Sequence, residues 1–334
     1  MATKTGGAGK RSGRKGRLRR AGRIAGGTLA VLIALAGAAF GAEAVAESGD
    51  DTRHPMPGRL VDVGGHRLHL HCEGPRAGGP TVLLDAGWGE SSSTWAGVRS
   101  ALAARSVRAC AYDRAGYAWS EPGPGPRDAG RAAGELHALL ERSGETGPFV
   151  LAAHSYGGHV VRLLADRHPE RVAGLVLVDV TDASGKSDAA IEASIPLMTG
   201  QTRLYGLAAR SGLIRLAGDW LLPEDTTAPG REHAPVVYGP GSMTAAEEEA
   251  EVFLSSTRQV HATERPGAWG DMPVVVIAAR AGGPPGIYEA LAKLSTRGRY
   301  VLADTDRHYV HLARQDLVVD GILDVASAAR AGTR

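Results

Sequence analysis

Two cysteines, Cys72 and Cys110, are too few in a chain of 334 residues to build a disulfide-stapled scaffold. In an exported protein they can form one bridge; otherwise they are two small buried hydrophobes. Aromatic residues are scarce at 5%, but 43% hydrophobic and 22% charged residues make an ordinary globular composition. No internal period is present, which excludes collagen-like, coiled-coil and repeat architectures. No G-x-G-x-x-G follows a candidate strand and no Walker motif occurs, so a nucleotide cofactor has no support. His69 and His71 alternate on one segment, but nothing nearby completes a ligand set, and neither a metal nor another cofactor is expected.

Acid is missing from the first 23 residues, which carry nine Lys or Arg. Removing these from a net charge of +2 leaves the remaining chain at −7. An acidic body is a poor nucleic-acid partner, because phosphate binding needs cations clustered on the folded surface. A tail that binds nucleic acid by itself is the competing reading. From Ile24 to Ala42 every residue is apolar, Gly or Thr. A charged segment before such a run is a membrane-targeting pattern, and the run is long enough to span a bilayer. Ala44-Val45-Ala46 also fits a small-x-small cleavage site. Anchor or signal, either one carries the body out of the cytoplasm.

The chain is long enough for one large core or two ordinary domains. Its 46 glycines and 18 prolines point to many turns. The basic tail (1–23) and apolar segment (24–46) are followed by a polar linker (47–58). Two short strands, Arg59–Val63 and Arg67–Cys72, flank Gly64-Gly65 as a hairpin. Strands at Thr81–Asp85, Val107–Tyr112, Phe149–Ala153 and Val172–Val178 alternate with helices around Trp95–Arg105, Ala129–Arg142 and Gly158–Arg167. This alternation predicts an α/β fold with a mostly parallel central sheet covered by helices on both faces. Alternation stops over 181–271, where helical patches at Ala189–Met198, Leu204–Ala217 and Ala245–Thr257 suggest an inserted helical cap. It resumes with strands Pro273–Ala278 and Tyr300–Ala303 and helices Ile287–Leu294 and Gln315–Ala329, so the core comprises 59–180 and 272–334.

Ser155 sits in Ala153-His154-Ser155-Tyr156-Gly157-Gly158, between a buried strand and a helix. A serine on a sharp strand-to-helix turn projects its hydroxyl clear of the sheet. Small neighbours let the turn close, with Ala153 standing where G-x-S-x-G has glycine. A serine hydroxyl needs a base. His308, following the last strand at the same sheet end, is the candidate, and His311 the competitor. A carboxylate must orient the base. The stretch after Pro273–Ala278 holds no acid, so the sheet-end candidate is Asp179, with Asp182 and Asp271 as alternatives. An oxyanion needs preorganised N–H donors. The backbone groups of Tyr156 and Trp88, the latter in Ala86-Gly87-Trp88-Gly89, are the candidates.

With these segments in hand, the chain resembles the α/β-hydrolase superfamily from about Arg59 to its last helix. Asp113-Arg114-Ala115-Gly116-Tyr117-Ala118-Trp119-Ser120 resembles the D-R-x-G-x-x-x-S loop of many members, which shapes the site. Arg171–Asp179 and His308-Tyr309-Val310-His311-Leu312 are similar to family segments too. Ala86-Gly87 departs from the common His-Gly. Some members carry the acid where Asp179 stands, and the serine argues against the aspartate-nucleophile members. The resemblance does not name a substrate; the serine and the sheet-end histidine point to a hydrolase of a small carboxylic ester, and the apolar residues of the inserted segment fit an apolar acyl or alcohol group. Amide, lactone and carbon–carbon substrates, and a non-catalytic membrane-tethered binding protein, are the alternatives.

Overall fold

The computed structural model describes residues 9–76, 79–181 and 187–332. Its core is one eight-stranded sheet, numbered in chain order: β1 (Arg59–Asp62), β2 (Arg67–Glu73), β3 (Val82–Asp85), β4 (Ala109–Tyr112), β5 (Phe149–His154), β6 (Val172–Val178), β7 (Val274–Ala279) and β8 (Gly298–Ala303). The spatial order is β1-β2-β4-β3-β5-β6-β7-β8. The β1–β2 and β2–β4 pairs are antiparallel, and every later pair is parallel.

The apolar runs of β5, β6 and β7 are continuous because both sheet faces are covered. Alternate residues divide between two cores. Phe149, Leu151, Leu175, Leu177, Val274 and Val276 face one; Val150, Ala152, Val176, Val178, Val275 and Ile277 face the other. The helices are α1 (Gly9–Glu47), α2 (Ala96–Ala103), α3 (Ala129–Arg142), α4 (Gly157–Arg167), α5 (Asp188–Arg210), α6 (Leu213–Leu221), α7 (Pro240–Glu251), α8 (Phe253–His261), α9 (Pro285–Ala292) and α10 (Gln315–Gly332), with several short turns between them. Helices α3, α4 and α9 supply Leu136, Val160 and Leu291 to the first core. Helices α2 and α10 supply Val98, Leu102 and Ile322 to the second. The α/β architecture expected above, with helices on both faces, is therefore the one observed. Asp128 caps α3 by accepting from the Arg131 N–H at 2.9 Å.

Helices α5 to α8 lie between β6 and β7. Their local divisions differ from the expected patches. Pro196 is accommodated inside α5, which runs unbroken to Arg210. The Leu204–Ala217 patch is instead divided, because Gly212 adopts a left-handed φ of +77° and starts a new helix. The fourth strand begins at Ala109, not Val107. The 47–58 segment is not free chain: Asp50–Arg53 is helical, and Asp50 is buried against Arg215. Cys72 and Cys110, paired in register across β2 and β4, form a disulfide.

Candidate active site

The strand ends of the parallel sheet carry the site. In-register pairing sets Asp85 beside Ala153, His154 beside Val178, and Ala279 beside Ala303. The chain turns sharply after β5. Ser155 holds a left-handed φ of +49°, while its N–H donates to the Val178 carbonyl at 3.1 Å. Non-glycine residues rarely take this conformation, and where they do the surroundings enforce it. The turn leaves no room beyond it. A Cβ on Gly157 would lie 2.8 Å from the Asp85 and Ala86 carbonyl oxygens, and one on Gly158 would lie 2.3 Å from Val180 Cγ1. Ala153 is fully buried, so the strand accepts its methyl where the motif usually has glycine.

The structure brings Ser155, His308 and Asp179 together. His308 Nε2 lies 3.0 Å from Ser155 Oγ, and its Nδ1 lies 2.6 Å from Asp179 Oδ2. His308 comes from the loop after β8 and Asp179 from the end of β6. Asp179 also has a left-handed φ, +46°. Its Oδ1 accepts from the Ala279 N–H at 3.0 Å. Its side chain is buried, whereas the His308 ring is half exposed. Asp271 is exposed on the turn before β7; Asp182 lies outside the described residues. The missing acid after β7 has a counterpart in glycine: a Cβ on Gly282 would meet Asp179 Oδ1 at 2.3 Å and Tyr288 Oη at 2.7 Å. The absent side chain leaves the space that the carboxylate reaching over from β6 fills.

Trp88 lies on the loop after β3, and Tyr156 directly follows Ser155. Neither backbone N–H donates to a protein acceptor among the described residues. The Trp88 indole N–H instead donates to the Ala246 carbonyl of α7 at 2.7 Å, tying the loop after β3 to the cap. Together with Tyr205, Tyr238 and Tyr309, Trp88 lines a cavity of about 100 Å³ between cap and core.

Several residues were not identified from the sequence. Thr181 Oγ1 lies 3.0 Å from Ser155 Oγ. When the Ser155 hydroxyl donates to His308 Nε2, Thr181 is the donor in that contact. Glu90 and His154 form a fully interior pair, with His154 Nδ1 2.8 Å from Glu90 Oε1. Burial pushes the Glu90 carboxyl up, but the His154 charge and hydrogen bond outweigh it and hold Glu90 at about 2. Burial pulls His154 down, but the Glu90 charge and hydrogen bond outweigh it and raise it above the ordinary histidine value. His311 does not reach Ser155. It is buried, stacked on Trp95 at 4.5 Å, and burial beside His154 pushes it well below the ordinary value. Glu90, His154 and His311 lie close enough to suggest a metal. However, His154 already spends Nδ1 on Glu90 and Nε2 on the His308 carbonyl at 3.1 Å. His69, the other sequence candidate, is occupied by Asp113 at 2.6 Å.

The D-R-x-G segment braces the site from behind. The buried Arg114 guanidinium donates to the Asp85 carboxylate at 2.9 Å, to the Ala86 and Gly87 carbonyls at 2.6 and 2.8 Å, and to Glu249 of α7 at 2.7 Å. One cation therefore joins the end of β3, the following loop and the cap.

A family model described as alpha/beta hydrolase fold matches residues 80–214. The chain is 31% identical over 163 residues to a 2-hydroxymuconate semialdehyde hydrolase of Pseudomonas putida, a match covering 46% of this chain and 56% of that protein. It is 37% identical over 135 residues to a probable transporter of Hormonema carpetanum, covering 39% of this chain and 19% of that one. The chain thus spans less than two thirds of the curated relatives it matches. Among solved structures, the enol-lactonase of Burkholderia xenovorans LB400 superposes with a TM-score of 0.60 at 23% identity, over 80% of this chain and 99% of that one. A thermophilic esterase of Thermogutta terrifontis gives 0.57 at 24%, over 78% and 92%. These two likenesses establish the fold.

Proposed function

We propose that this chain, which has the alpha/beta hydrolase fold, is a serine hydrolase cleaving a small, apolar carboxylic ester. The observation that carries this reading is the unbroken hydrogen-bonded line from Asp179 through His308 to Ser155. Ser155 Oγ attacks the ester carbonyl while its proton passes to His308 Nε2. Asp179 holds Nδ1–H and stabilises the imidazolium. The carbonyl oxygen, now an anion, accepts from the Trp88 and Tyr156 backbone N–H groups. His308 then protonates the departing alcohol, leaving an acyl-serine, and water repeats the sequence to release the acid. Residues 181–271 act as the lid, and the tyrosine-lined cavity beneath them suits an apolar group.

Within the segment from Arg20 to Glu47, an 18-residue window has a mean hydropathy of 2.1 and is hardly buried by the rest of the chain. We read it as a membrane anchor, with the hydrolase body outside the cytoplasm. The Cys72–Cys110 bridge supports an oxidising compartment. The test is a fluorophosphonate probe on the full chain, followed by hydrolysis of short-chain p-nitrophenyl esters. Ser155 is expected to be labelled, and Ser155→Ala to lose both labelling and turnover. A folded protein that neither reacts with the probe nor cleaves any ester, lactone or β-diketone overturns the reading in favour of a binding protein.

A further inference from the structure

We propose that the cap helix α6 is seated in the headgroup region of the same bilayer that holds α1, so that the cap rests on the membrane. Among the described residues, large apolar side chains that stand exposed are concentrated in two places. Apart from Leu302, all of them belong to α1 or to the stretch 197–221 of α5 and α6. On α6 and its end these are Leu213, Leu216, Trp220 and Leu221, with Leu216 83% and Trp220 91% exposed. A tryptophan left almost wholly outside its own fold has no packing role there. Trp is a residue that membrane interfaces enrich, because its ring suits the boundary between acyl chain and water.

The position of α6 says which surface covers it. Arg215, between those exposed side chains, is clamped to the outer end of α1. Its guanidinium makes contacts of 2.7 and 2.8 Å with Asp50 and of 2.9 and 3.1 Å with Glu43. Both carboxylates are buried in this contact. A cation between two buried acids holds far more firmly than an exposed ion pair, since breaking it strands charge. Wherever α1 leaves the bilayer, α6 is fixed beside it. The cleft beside them carries Arg53, Arg215 and Arg231 against one acid, Glu232, next to Leu216 and Trp220, a net-cationic and apolar lining that anionic headgroups over acyl chains take up. The opposite side of the cap differs: Gln201, Thr202 and Tyr205 of α5 line the cavity that also touches Trp88 and Tyr309. One side thus faces lipid and the other faces the site. On the ester-hydrolase reading, this arrangement favours esters dissolved in the membrane.

The test uses the full chain in vesicles of phosphatidylcholine and phosphatidylglycerol, with Trp220 isolated by comparison with Trp220→Phe. Lipids brominated on the upper acyl carbons are expected to quench the Trp220 emission roughly twofold, as a ring seated about 5–10 Å into the interface requires. Aqueous iodide should scarcely reach it. Undiminished iodide quenching without lipid quenching overturns the proposal, as does a full chain that fails to float with the vesicles. A Leu216→Asp, Trp220→Asp double variant should then hydrolyse a vesicle-dissolved long-chain ester about tenfold more slowly than wild type, since charges resist entering the interface. A water-soluble short ester should be cleaved at the wild-type rate, and equal losses on both esters count against docking. If neither ester is cleaved by wild type, the hydrolase reading falls, while the quenching result still decides the seating of α6.

Discussion

His154 Nε2 lies 3.1 Å from the main-chain carbonyl of His308. The residue just before Ser155 thus grips the backbone of His308. Because Nε2 must donate to a carbonyl while Nδ1 faces a carboxylate, the protonated ring satisfies both partners at once. Glu90 supplies the compensating charge. The line Glu90–His154–His308 backbone is therefore a positioning device behind the reacting atoms.

His154→Gln is expected to lower kcat about tenfold with KM nearly unchanged, the effect of losing roughly 1.4 kcal/mol of orientation. The pair also shapes stability against pH. Glu90 is depressed from its ordinary 4.5 to about 2, so its contribution is complete above 4.5 and disappears as pH falls towards 2. His154 is raised from its ordinary 6.5, so its contribution is complete below 6.5 and is lost as pH climbs through the raised value. The melting-temperature advantage of wild type over a Glu90→Gln, His154→Gln double variant should peak between about pH 4.5 and 6.5. A difference that does not vary from pH 3 to 9 would show that the pair is uncharged.

Asp179 and Gly282 share one small space. Asp179→Asn should reduce kcat about 10⁴-fold at neutral pH, because the amide holds the wrong imidazole tautomer. Asp271→Asn should leave it unchanged, since Asp271 is exposed and away from His308. Gly282→Ala tests the geometry more finely. Its methyl must displace the Asp179 carboxylate or the Tyr288 hydroxyl. A displacement of that size can cost about 10²-fold in turnover. Steady-state kinetics and the rate of fluorophosphonate labelling should fall together. If labelling by Gly282→Ala is as fast as wild type, Asp179 does not orient the base.

What could be read in advance follows from which features are local. The continuous apolar runs of β5, β6 and β7 announced a sheet covered on both faces, since each strand alternates between two buried cores. Ser155 was legible because a strand, a serine and two glycines are contiguous. Asp179 and His308 were legible as residues at strand ends. Glu90 was not, because its meaning depends on a ring 64 positions away. The Arg114–Glu249 contact spans 135 positions and Ser155–Thr181 spans 26. The cap was divided wrongly for a related reason. The patch Ala189–Met198 and the start of Leu204–Ala217 share one helix that runs to Arg210, while Gly212, one of 46 glycines, makes the actual break.

Arg114 tests how the cap is coupled to the core. Its guanidinium satisfies two buried carboxylates, and Tyr117 adds a 2.7 Å hydrogen bond to Glu249. Removing the cation strands both acids in a dry interior. Arg114→Met should therefore destabilise the protein by roughly 3–5 kcal/mol in urea unfolding. Adding Asp85→Asn and Glu249→Gln to that variant should recover part of the loss, because the stranded charges disappear with the carboxylates. A small effect of Arg114→Met alone would mean that water reaches these acids.

The bridge between Cys72 and Cys110 links β2, in the antiparallel part of the sheet, to β4, where the parallel part begins. It closes a loop of 38 residues that contains β3 and the segment carrying Trp88 and Glu90. Constraining a loop of that length in the unfolded chain is worth about 4 kcal/mol on the loop-entropy estimate. The oxidised protein should show no free thiol even in denaturant, since these are its two cysteines. A Cys72→Ala, Cys110→Ala variant should unfold at lower urea concentration, by about 2–4 kcal/mol. The rate at which a fluorophosphonate probe labels it should survive at low temperature, because neither sulfur is among the groups that contact Ser155 or His308. Strong reductant should bring wild type to the stability of the variant and leave the variant itself unchanged. Two titratable thiols in protein purified without reductant would instead mean that β2 and β4 are held by backbone pairing and apolar contact alone.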